Sequence, residues 1–371
     1  MASFTVTPWE VKGKVDYDKL IEKFGIQPLT RELLERLEKH TGELHLLLRR
    51  GVFFAHRDLD LLLDSYEKGE EFYLYTGRGP SGHTHIGHLI PWILTKWLQE
   101  KFNVELLFQV TDDEKFLFNQ PLTIEEVRKY AYENILDIIA VGFQPGKTKI
   151  FLDTEYIGKL YPLAIQVAKR ITFSTAKAVF GFTDSSNIGM IFFTSIQATP
   201  AFLGSIMRGK PTRCLIPLAV DQDPHFRVAR DVAPKLGFPK PSILHAKFFP
   251  SLLGADKMSS SDPQSAIYTV DSDSEVRRKI MNAFTGGQPT VKEQRKKGGN
   301  PDICPIYQYC MYLFEPDDHK LKEVYYACKS GKLLCGEHKQ ILAEKVIKFL
   351  KEHRKRREKA KDMLEDFIVR D

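Results

Sequence analysis

A glycine-rich turn followed by two histidines is the first feature of this sequence that can do chemistry. The turn occupies residues 77–82, and the histidines belong to the string His-Ile-Gly-His at residues 85–88. A glycine-rich turn that opens a helix brings backbone N–H groups close to phosphate oxygens, and the positive end of the helix adds to the attraction. The spacing matches neither a Walker A loop nor a dinucleotide-binding fingerprint, so the turn alone does not identify a nucleotide.

The histidine string adds groups that can hold a phosphate or a base. His85 and His88 are three residues apart and project from one face of the helix entrance, and Gly87 leaves room for a flat group such as a purine. Two other interpretations stay open for this tetrapeptide by itself. The histidines can bind a metal, although a four-residue spacing with a nearby carboxylate is the commoner pattern, or they can be ordinary surface histidines.

A second polar string, Lys-Met-Ser-Ser-Ser, occupies residues 257–261 after Gly254. The Lys257 ammonium is a point charge for a phosphate, and the three serine hydroxyls can donate hydrogen bonds. This composition suits a phosphate clamp, although an ordinary serine-rich loop is the alternative for the string alone.

The elements around these motifs alternate between strands and helices. Apolar runs predict strands at residues 72–76, 104–110, 149–152, 214–220 and 242–249. Helical patterns lie between them at about 84–102, 123–141, 160–180 and 226–236. Strands that alternate with helices predict an α/β fold, with a Rossmann-like parallel sheet covered on both faces.

The segments on either side of this region differ from it and suggest three domains. Residues 1–64 hold a short polar appendage, expected to form a strand or hairpin, and then helices that lead into the sheet. Residues 65–270 form the predicted catalytic domain with both motifs. Beyond residue 270 the strand signal fades, so residues 271–371 predict an all-helical domain, with helices near 273–284, 317–330 and 337–369.

Composition excludes several classes of protein. The 371 residues are 43% hydrophobic and 27% charged, as in globular chains, and no run approaches the roughly 18 apolar residues of a membrane span. The net charge of +6 permits a nucleic-acid partner without requiring one. The five cysteines contain no C-x-x-C pair, so we expect reduced thiols and no structural metal. Because no run is apolar enough for a membrane span and the first twenty residues do not resemble a signal peptide, we expect no membrane partner and a cytoplasmic location.

The final helix carries most of the basic excess of its domain. Two interpretations are open, a solvated charged face or a stripe that faces RNA. The residues concerned are Lys345, Lys348, Lys351, Arg354, Lys355, Arg356, Arg357, Lys359 and Lys361.

The two motifs, in this order, resemble the signatures of class I aminoacyl-tRNA synthetases, His-Ile-Gly-His and Lys-Met-Ser-Lys-Ser. Ser260 replaces the second lysine, which leaves one cation fewer in the loop. Further strings extend over nearly the whole chain and resemble the eukaryotic and archaeal tryptophanyl-tRNA synthetases. They lie at residues 73–80, 111–115, 196–200, 221–227 and 298–300.

The resemblance implies a tryptophan–tRNA ligase with ATP and Mg²⁺ as a substrate complex. It implies tRNA(Trp) and L-tryptophan as partners, a homodimer, and an anticodon-binding role for the helical domain. It carries catalytic roles to His85, His88, Lys257, Ser259, Ser260 and Ser261. It carries ATP binding to Arg78, Gly79, Gly87 and Met258.

The resemblance also implies a tryptophan pocket, which agrees with the chemistry of the side chains. An indole needs one hydrogen-bond acceptor among apolar walls, and an ammonium needs oxygen atoms. Tyr75 and Gln109 would meet the indole nitrogen. The ammonium contacts fall on Glu114, Gln197 and Gln222, and Phe226 and Gly77 complete the pocket.

Three alternatives remain open. A tyrosyl-tRNA synthetase shares the fold and both motifs. A non-enzymatic binding protein on the same scaffold would be expected to lack motif residues that are present here. A nucleotidylyltransferase acting on a small metabolite would have no use for a helical domain of about 100 residues.

Overall fold

A seven-stranded mixed sheet forms the centre of the computed structural model, which describes residues 4–6, 8, 11–12, 15–118, 121–254, 258 and 262–371. Two further short strands, β1 and β2, lie outside this sheet. The sheet strands are β3 (Gln27–Pro28), β4 (Phe53–Arg57), β5 (Phe72–Arg78), β6 (Leu106–Val110), β7 (Thr148–Leu152), β8 (Arg213–Ala219) and β9 (Ser242–Ala246).

The strand order is β3-β4-β9-β8-β5-β6-β7, and the five strands from β9 to β7 are parallel. The prediction of an α/β fold with a Rossmann-like parallel sheet is therefore confirmed, and two antiparallel strands that the sequence did not predict extend one edge of it. Strand β4 runs antiparallel to β9, and β3 runs antiparallel to β4. The two extra strands come from the region predicted to be helical, where Phe53 and Ala55 are buried and pack into the core as strand residues.

The N-terminal segment begins with the hairpin that the sequence suggests. Strands β1 (Thr5–Val6) and β2 (Val11–Lys12) pair antiparallel, with Val6 opposite Val11. Helices α1 (Tyr17–Phe24), α2 (Arg31–Thr41), α3 (Leu46–Arg49) and α4 (Leu59–Glu67) follow.

Helices cover both faces of the parallel strands. They are α5 (Ile86–Phe102), α6 (Asp112–Phe118), α7 (Ile124–Val141), α8 (Ile157–Ala168), α9 (Phe173–Phe180), α10 (Ile188–Ala198), α11 (Pro200–Arg208) and α12 (Asp223–Val232). Thr123 caps α7 through a reciprocal pair with Glu126, which is the capping box that a Thr-x-x-Glu sequence can form. The single helix expected over residues 160–180 is two helices, because a turn separates α8 from a new N-cap at Thr172.

The described residues beyond 270 are helical apart from one isolated bridge at Ile368, which agrees with the predicted loss of strand signal. The helices are α13 (Asp273–Asn282), α14 (Val291–Lys297), α15 (Pro305–Tyr309), α16 (Asp318–Lys329), α17 (Cys335–Ala360) and α18 (Leu364–Phe367). A π-helical turn over Cys310–Phe314 continues α15.

Several basic side chains of helix α17 form ion pairs and hydrogen bonds within the molecule. Neither interpretation from the sequence, a solvated charged face or a stripe that faces RNA, predicts these contacts. The partners of these side chains are backbone and carboxylate oxygens of helix α7, of helix α13 and of the turn before α16. Lys345 pairs with Glu315, Lys351 and Arg354 with Asp273, and Arg357 with Glu133, while Arg356 donates to the carbonyl oxygen of Ala140.

Within the described ranges, no single helix is long and apolar enough to cross a membrane. Helices α10 and α11 together reach that length and composition, but the chain bends by 44° between them.

Candidate active site

A cavity of about 470 Å³ opens at the carboxyl edge of the parallel strands. It lies where the strand order reverses, between β5 and β8, which is the usual ligand position in open α/β sheets. Every described residue that the sequence singles out as a site residue lines this cavity, with the exception of Gln109. They are Tyr75, Gly77, Arg78, Gly79, His85, Gly87, His88, Glu114, Gln197, Gln222, Phe226 and Met258.

Arg78 ends strand β5 and carries a hydrogen-bond donor into the cavity. Its Nε donates to Asn134 Oδ1 at 2.7 Å, and Asn134 Nδ2 donates to the carbonyl oxygen of Gly82 at 2.9 Å. Arg78 Nη2 is buried and has no hydrogen-bond partner among the described residues. Burial lowers the pKa of Arg78 to about 10, although Glu114 and Asp137 oppose the shift. A buried cation with an unused donor suits an anionic ligand.

Two of the three glycines of the turn, Gly77 and Gly79, pack closely against their neighbours, whereas a Cβ on Gly82 would meet nothing within 4 Å. A Cβ on Gly79 would overlap the end of the Lys115 side chain and come within 2.8 Å of Glu114 Oε2. A Cβ on Gly77 would lie 3.1 Å from the carbonyl oxygen of Gln109 on the neighbouring strand. The backbone of the turn therefore lies against strand β6 and helix α6, and no side chain separates it from the cavity.

The two motif histidines stack at the start of α5, with ring centroids 3.5 Å apart and 19° between the planes. His88 Nδ1 accepts the backbone N–H of His85 at 3.1 Å, so the neutral ring of His88 carries its proton on Nε2. Gly87 lines the cavity, but a Cβ there would lie 3.1 Å from the His85 ring and 3.2 Å from Phe249 Cβ. The space over Gly87 is narrow, which suits a flat group.

The second motif is only partly described. Met258 is buried, its backbone N–H donates to Phe249 O at 3.0 Å, and it lines the cavity. Lys257, Ser259, Ser260 and Ser261 lie outside the described residues, as does most of the hairpin tip around Pro8.

A buried hydrogen-bond network forms one wall of the cavity. Tyr75 Oη donates to Gln109 Oε1 at 2.5 Å, and Gln197 Nε2 donates to Tyr75 Oη at 2.7 Å. Phe226 packs edge-on against the Tyr75 ring, with centroids 5.6 Å apart. Gln109 is fully buried behind Tyr75 and is not among the lining residues. The acceptor presented to the cavity is therefore the Tyr75 hydroxyl oxygen.

Glu114 contributes a carboxylate at the start of α6. It accepts hydrogen bonds from Thr111 Oγ1 and Lys115 Nζ, both at 2.6 Å. Burial by itself raises the pKa of Glu114, but the Lys115 ammonium and the Thr111 hydroxyl outweigh it and keep the pKa below its usual value. Gln222, across the cavity, donates to the carbonyl oxygen of Pro8 at 3.4 Å.

Several residues at this edge were not singled out from the sequence. Lys247 lines the cavity just after β9, and burial lowers its pKa. Asp153 follows β7 and accepts from Gln109 Nε2, and its carboxyl also bonds to that of Asp113. Their positions directly after parallel strands are the signal that could have identified Lys247 and Asp153. Asn134 lies inside a helix, and no pattern marks it.

Among the residues that the structure describes, no group of three or more His, Cys, Asp or Glu side chains is arranged to hold a metal ion. The paired histidines of residues 85–88 stack on each other and belong to the cavity described above.

Comparisons with known proteins agree with this fold. The family model of class I tRNA synthetases (W and Y) matches residues 67–351. A protein of Pyrobaculum calidifontis named tryptophan–tRNA ligase is 56% identical over 364 residues, covering 98% of this chain and 97% of the relative. A protein of the same name from Pyrococcus furiosus is 57% identical over 367 residues, covering 98% and 94%.

A solved structure, the tryptophanyl-tRNA synthetase from Giardia lamblia, superposes with a TM-score of 0.89 at 39% identity, covering 95% of this chain and 96% of that one. The fold and the cavity define an aminoacyl-tRNA synthetase of class I, an enzyme that uses ATP and charges tRNA. Within that class, the chain belongs to the family of tryptophan and tyrosine synthetases, and its relatives there are the tryptophan–tRNA ligases.

Proposed function

We propose that this chain activates L-tryptophan with ATP in the described cavity and transfers it to the 3′ end of tRNA(Trp). The observation that carries the proposal is the content of one cavity. It combines the unpartnered donor of Arg78 and two motif histidines with an aromatic pocket in which Tyr75 offers a hydroxyl oxygen. The first group suits phosphates, and the second suits an indole.

In the first step, a carboxylate oxygen of tryptophan attacks the α-phosphorus of ATP. The bond to the bridging β-phosphate oxygen breaks, pyrophosphate leaves, and tryptophanyl-adenylate remains. No protein nucleophile takes part, so the chain contributes positioning and stabilisation of the phosphate charge. A magnesium ion enters with ATP as part of the substrate and shares in neutralising its phosphates.

The ATP side of the cavity uses the glycine-rich turn and the histidines. Arg78 Nη2 donates to a phosphate oxygen, and the His88 ring donates through Nε2. His85 stabilises the same phosphates, and the backbone at Gly79 and Gly87 lies against the nucleotide.

Residues of the second motif complete the ATP site. Met258 packs beside the nucleotide from its buried position at the cavity wall. Lys257 binds the departing pyrophosphate, and the hydroxyls of Ser259, Ser260 and Ser261 donate to the same group.

The tryptophan side uses the aromatic pocket. The Tyr75 hydroxyl oxygen accepts the indole N–H, and Phe226 and the backbone at Gly77 form walls. Oxygen atoms of Glu114, Gln197 and Gln222 bind the substrate ammonium, which the low pKa of the Glu114 carboxyl favours.

In the second step, a ribose hydroxyl at the 3′ end of tRNA attacks the carbonyl carbon of the adenylate, and AMP leaves. We assign the catalytic steps to residues 65–270 and anticodon binding to the helical residues 271–371. Residues 1–64 form the appendage and the helices that lead into the catalytic domain. Basic side chains of α17 that are exposed and form no ion pair among the described residues, such as Lys348 and Lys359, are available for phosphate contacts.

We further propose a cytoplasmic homodimer. Helices α8 and α10 pack together and carry exposed apolar side chains. Tyr161 and Ile165 are four residues apart on α8 and are 51% and 45% exposed, and Ile188 at the start of α10 is 84% exposed. A second copy would bury this face.

The test is amino-acid-dependent exchange of pyrophosphate into ATP, with each of the twenty amino acids supplied separately. Exchange with tryptophan alone supports the proposal. Exchange with tyrosine would keep the chemistry and overturn the pocket roles, and no exchange from folded protein with magnesium would overturn the activity. His85→Ala should lose exchange, whereas His319→Ala, at an exposed position on α16, should retain it.

A further inference from the structure

A chain of buried hydrogen bonds runs from the cavity wall to an acidic residue behind it. Tyr75 Oη donates to Gln109 Oε1 at 2.5 Å. Gln109 Nε2 donates to both carboxyl oxygens of Asp153, each at 2.9 Å. Gln109 is fully buried and Asp153 is 1% exposed, so no bulk water competes for these bonds. Asp153, the last member of this chain of hydrogen bonds, is 44 residues from Gln109 in sequence and directly follows the neighbouring strand β7.

The oxygen and the nitrogen of the Gln109 amide are chemically different, so this chain of hydrogen bonds has a direction. With its nitrogen on Asp153, the amide presents its oxygen to Tyr75, and the Tyr75 hydroxyl must donate its proton to that oxygen. The hydroxyl oxygen is then left as an acceptor, on the side where Gln197 Nε2 approaches it at 2.7 Å. An indole N–H can only donate, so it needs this orientation.

The reversed amide would undo this arrangement. Gln109 would then donate to the Tyr75 hydroxyl, and the hydroxyl proton would turn toward the cavity. Two donors, the hydroxyl and the indole N–H, would face each other, which costs the hydrogen bond and leaves a buried polar group unpaired. Both carboxyl oxygens of Asp153 accept from the Gln109 amide nitrogen in the observed arrangement, which stabilises the first orientation.

We propose that Asp153 is a positioning residue for substrate selection, which holds Gln109 in one orientation so that Tyr75 accepts the indole N–H. This inference rests on the proposed function, since it assumes that tryptophan is the substrate. Asp153 does not touch the substrate, and it acts through Gln109 and Tyr75.

The second partner of Asp153 supports this role. Its carboxyl bonds to that of Asp113, and burial and the Asp113 carboxylate raise the pKa of Asp153 well above its usual range. A raised pKa lowers the charge that the pocket buries at Asp153. On the side toward Gln109, both oxygens of the carboxyl lie 2.9 Å from the amide nitrogen and act as acceptors.

The experiment compares tryptophan with 3-(benzothiophen-3-yl)alanine, in which sulfur replaces the indole N–H at nearly the same shape. The quantity measured is the ratio of kcat/KM for the two amino acids in pyrophosphate exchange. Because both substrates are measured on the same protein, a loss of active fraction cancels. Asp153→Leu removes both acceptor oxygens, and Asp153→Asn keeps one.

We expect Asp153→Leu to lower this ratio by about tenfold, the value of one hydrogen bond, and Asp153→Asn to retain it within about threefold. Asp112→Leu is the matched control. Its carboxyl is also fully buried at this edge, but it bonds to Thr154 and not to Gln109. Its ratio should stay at the wild-type value, although its stability will fall.

An unchanged ratio in Asp153→Leu, or an equal fall in Asp112→Leu, would overturn the inference while the wild type still exchanges with tryptophan. If Asp153→Leu does not fold, Asp153→Ala serves as the second variant, with the same expected fall. Absence of tryptophan-dependent exchange in the wild type would instead overturn the proposed function, and this inference with it.

Discussion

His353 on α17 and Asp137 on α7 form a buried hydrogen bond between the helical C-terminal part and the catalytic sheet region. The distance from His353 Nε2 to Asp137 Oδ1 is 2.9 Å, and the two side chains are 1% and 2% exposed. Arg357 Nε lies 3.3 Å from the same oxygen. Asn134, one turn earlier on α7, holds Arg78 at the cavity. Helix α7 therefore contacts both Arg78 at the cavity and the last long helix of the chain.

Removal of Asp137 should destabilise the protein strongly. Asp137→Ala leaves the buried His353 ring without its acceptor and removes one of the two carboxylates beside Arg357, which keeps Glu133. We therefore expect the free energy of unfolding to fall by about 3 kcal/mol. Urea unfolding followed by circular dichroism measures the change. Lys355→Ala is the control, since that side chain is 72% exposed and pairs only with Glu352 on the same helix. Equal stabilities of the two variants would show that the buried cluster contributes nothing.

Arg78 should matter for ATP and not for tryptophan. Arg78→Ala removes the unpartnered donor, so kcat/KM for ATP should fall by about tenfold to a hundredfold, as for a hydrogen bond to a charged group. The dissociation constant of tryptophan should stay within about twofold. Asn134→Ala should show a smaller loss, because Arg78 keeps its charge but loses its anchor. Arg128→Ala, outside the cavity, should match the wild type, and a change confined to tryptophan affinity would contradict the role.

Lys257 should act on the leaving group. Lys257→Ala should slow adenylate formation in single-turnover experiments, because the pyrophosphate loses a cation as its charge develops. Tryptophan binding at equilibrium, measured by calorimetry, should change little. A collapse of tryptophan affinity would assign Lys257 to binding and remove it from the pyrophosphate site.

Acid should destabilise the protein through a histidine that is buried without charge. Burial, with Lys345 nearby, lowers the pKa of His338 from 6.5 to about 4. The unfolded chain therefore takes up a proton below pH 6.5 that the folded protein refuses until about pH 4. This contribution to stability is complete above pH 6.5 and is lost as the pH falls toward 4.

The size of the effect at pH 5 is about 2 kcal/mol for this one group. Urea unfolding at pH 7 and pH 5 should therefore show a smaller acid loss in His338→Gln than in the wild type. His319→Gln, at an exposed position, should keep the wild-type loss. An identical loss in His338→Gln would mean that His338 takes up its proton equally in both states.

The proposed dimer can be separated into monomers by one charge. Ile165→Lys places an ammonium in the exposed apolar face of α8, so sedimentation should shift from twice the chain mass to 42.6 kDa. Tyr326→Lys is the control, because this 58% exposed residue lies on α16, in the C-terminal helical part. A monomeric wild type would contradict the proposal directly.

Local patterns predicted the elements well wherever side-chain periodicity and burial agree. Strand β5 and helix α7 were predicted close to their observed bounds, since an aromatic run and a capping box are local signals. Strand β4 was missed because Phe53 and Ala55 lie among leucines with helical spacing. Only pairing with β9 makes this segment a strand, and that partner is almost two hundred residues away.

The residues of the candidate site divide in the same way, into those that local patterns predict and those whose partners are distant in sequence. Apart from Gln109, the described residues carried over from the family line one cavity, because they follow parallel strands whose carboxyl ends meet at one edge. Gln109 was predicted at the indole, but it lies behind Tyr75 and bonds to Asp153. That relationship joins two strands, and no spacing in the chain encodes it.

The sequence by itself determined the alternation of strands and helices, the two motifs and the family to which they belong. These depend on residue types at short, fixed separations along the chain, and such separations do not depend on how the chain folds. The tertiary structure decided which strands run antiparallel, which basic side chains of α17 pair within the molecule, and which way Gln109 points. Each of these depends on a partner distant in sequence, because hydrogen bonds and buried charges select their partners in space.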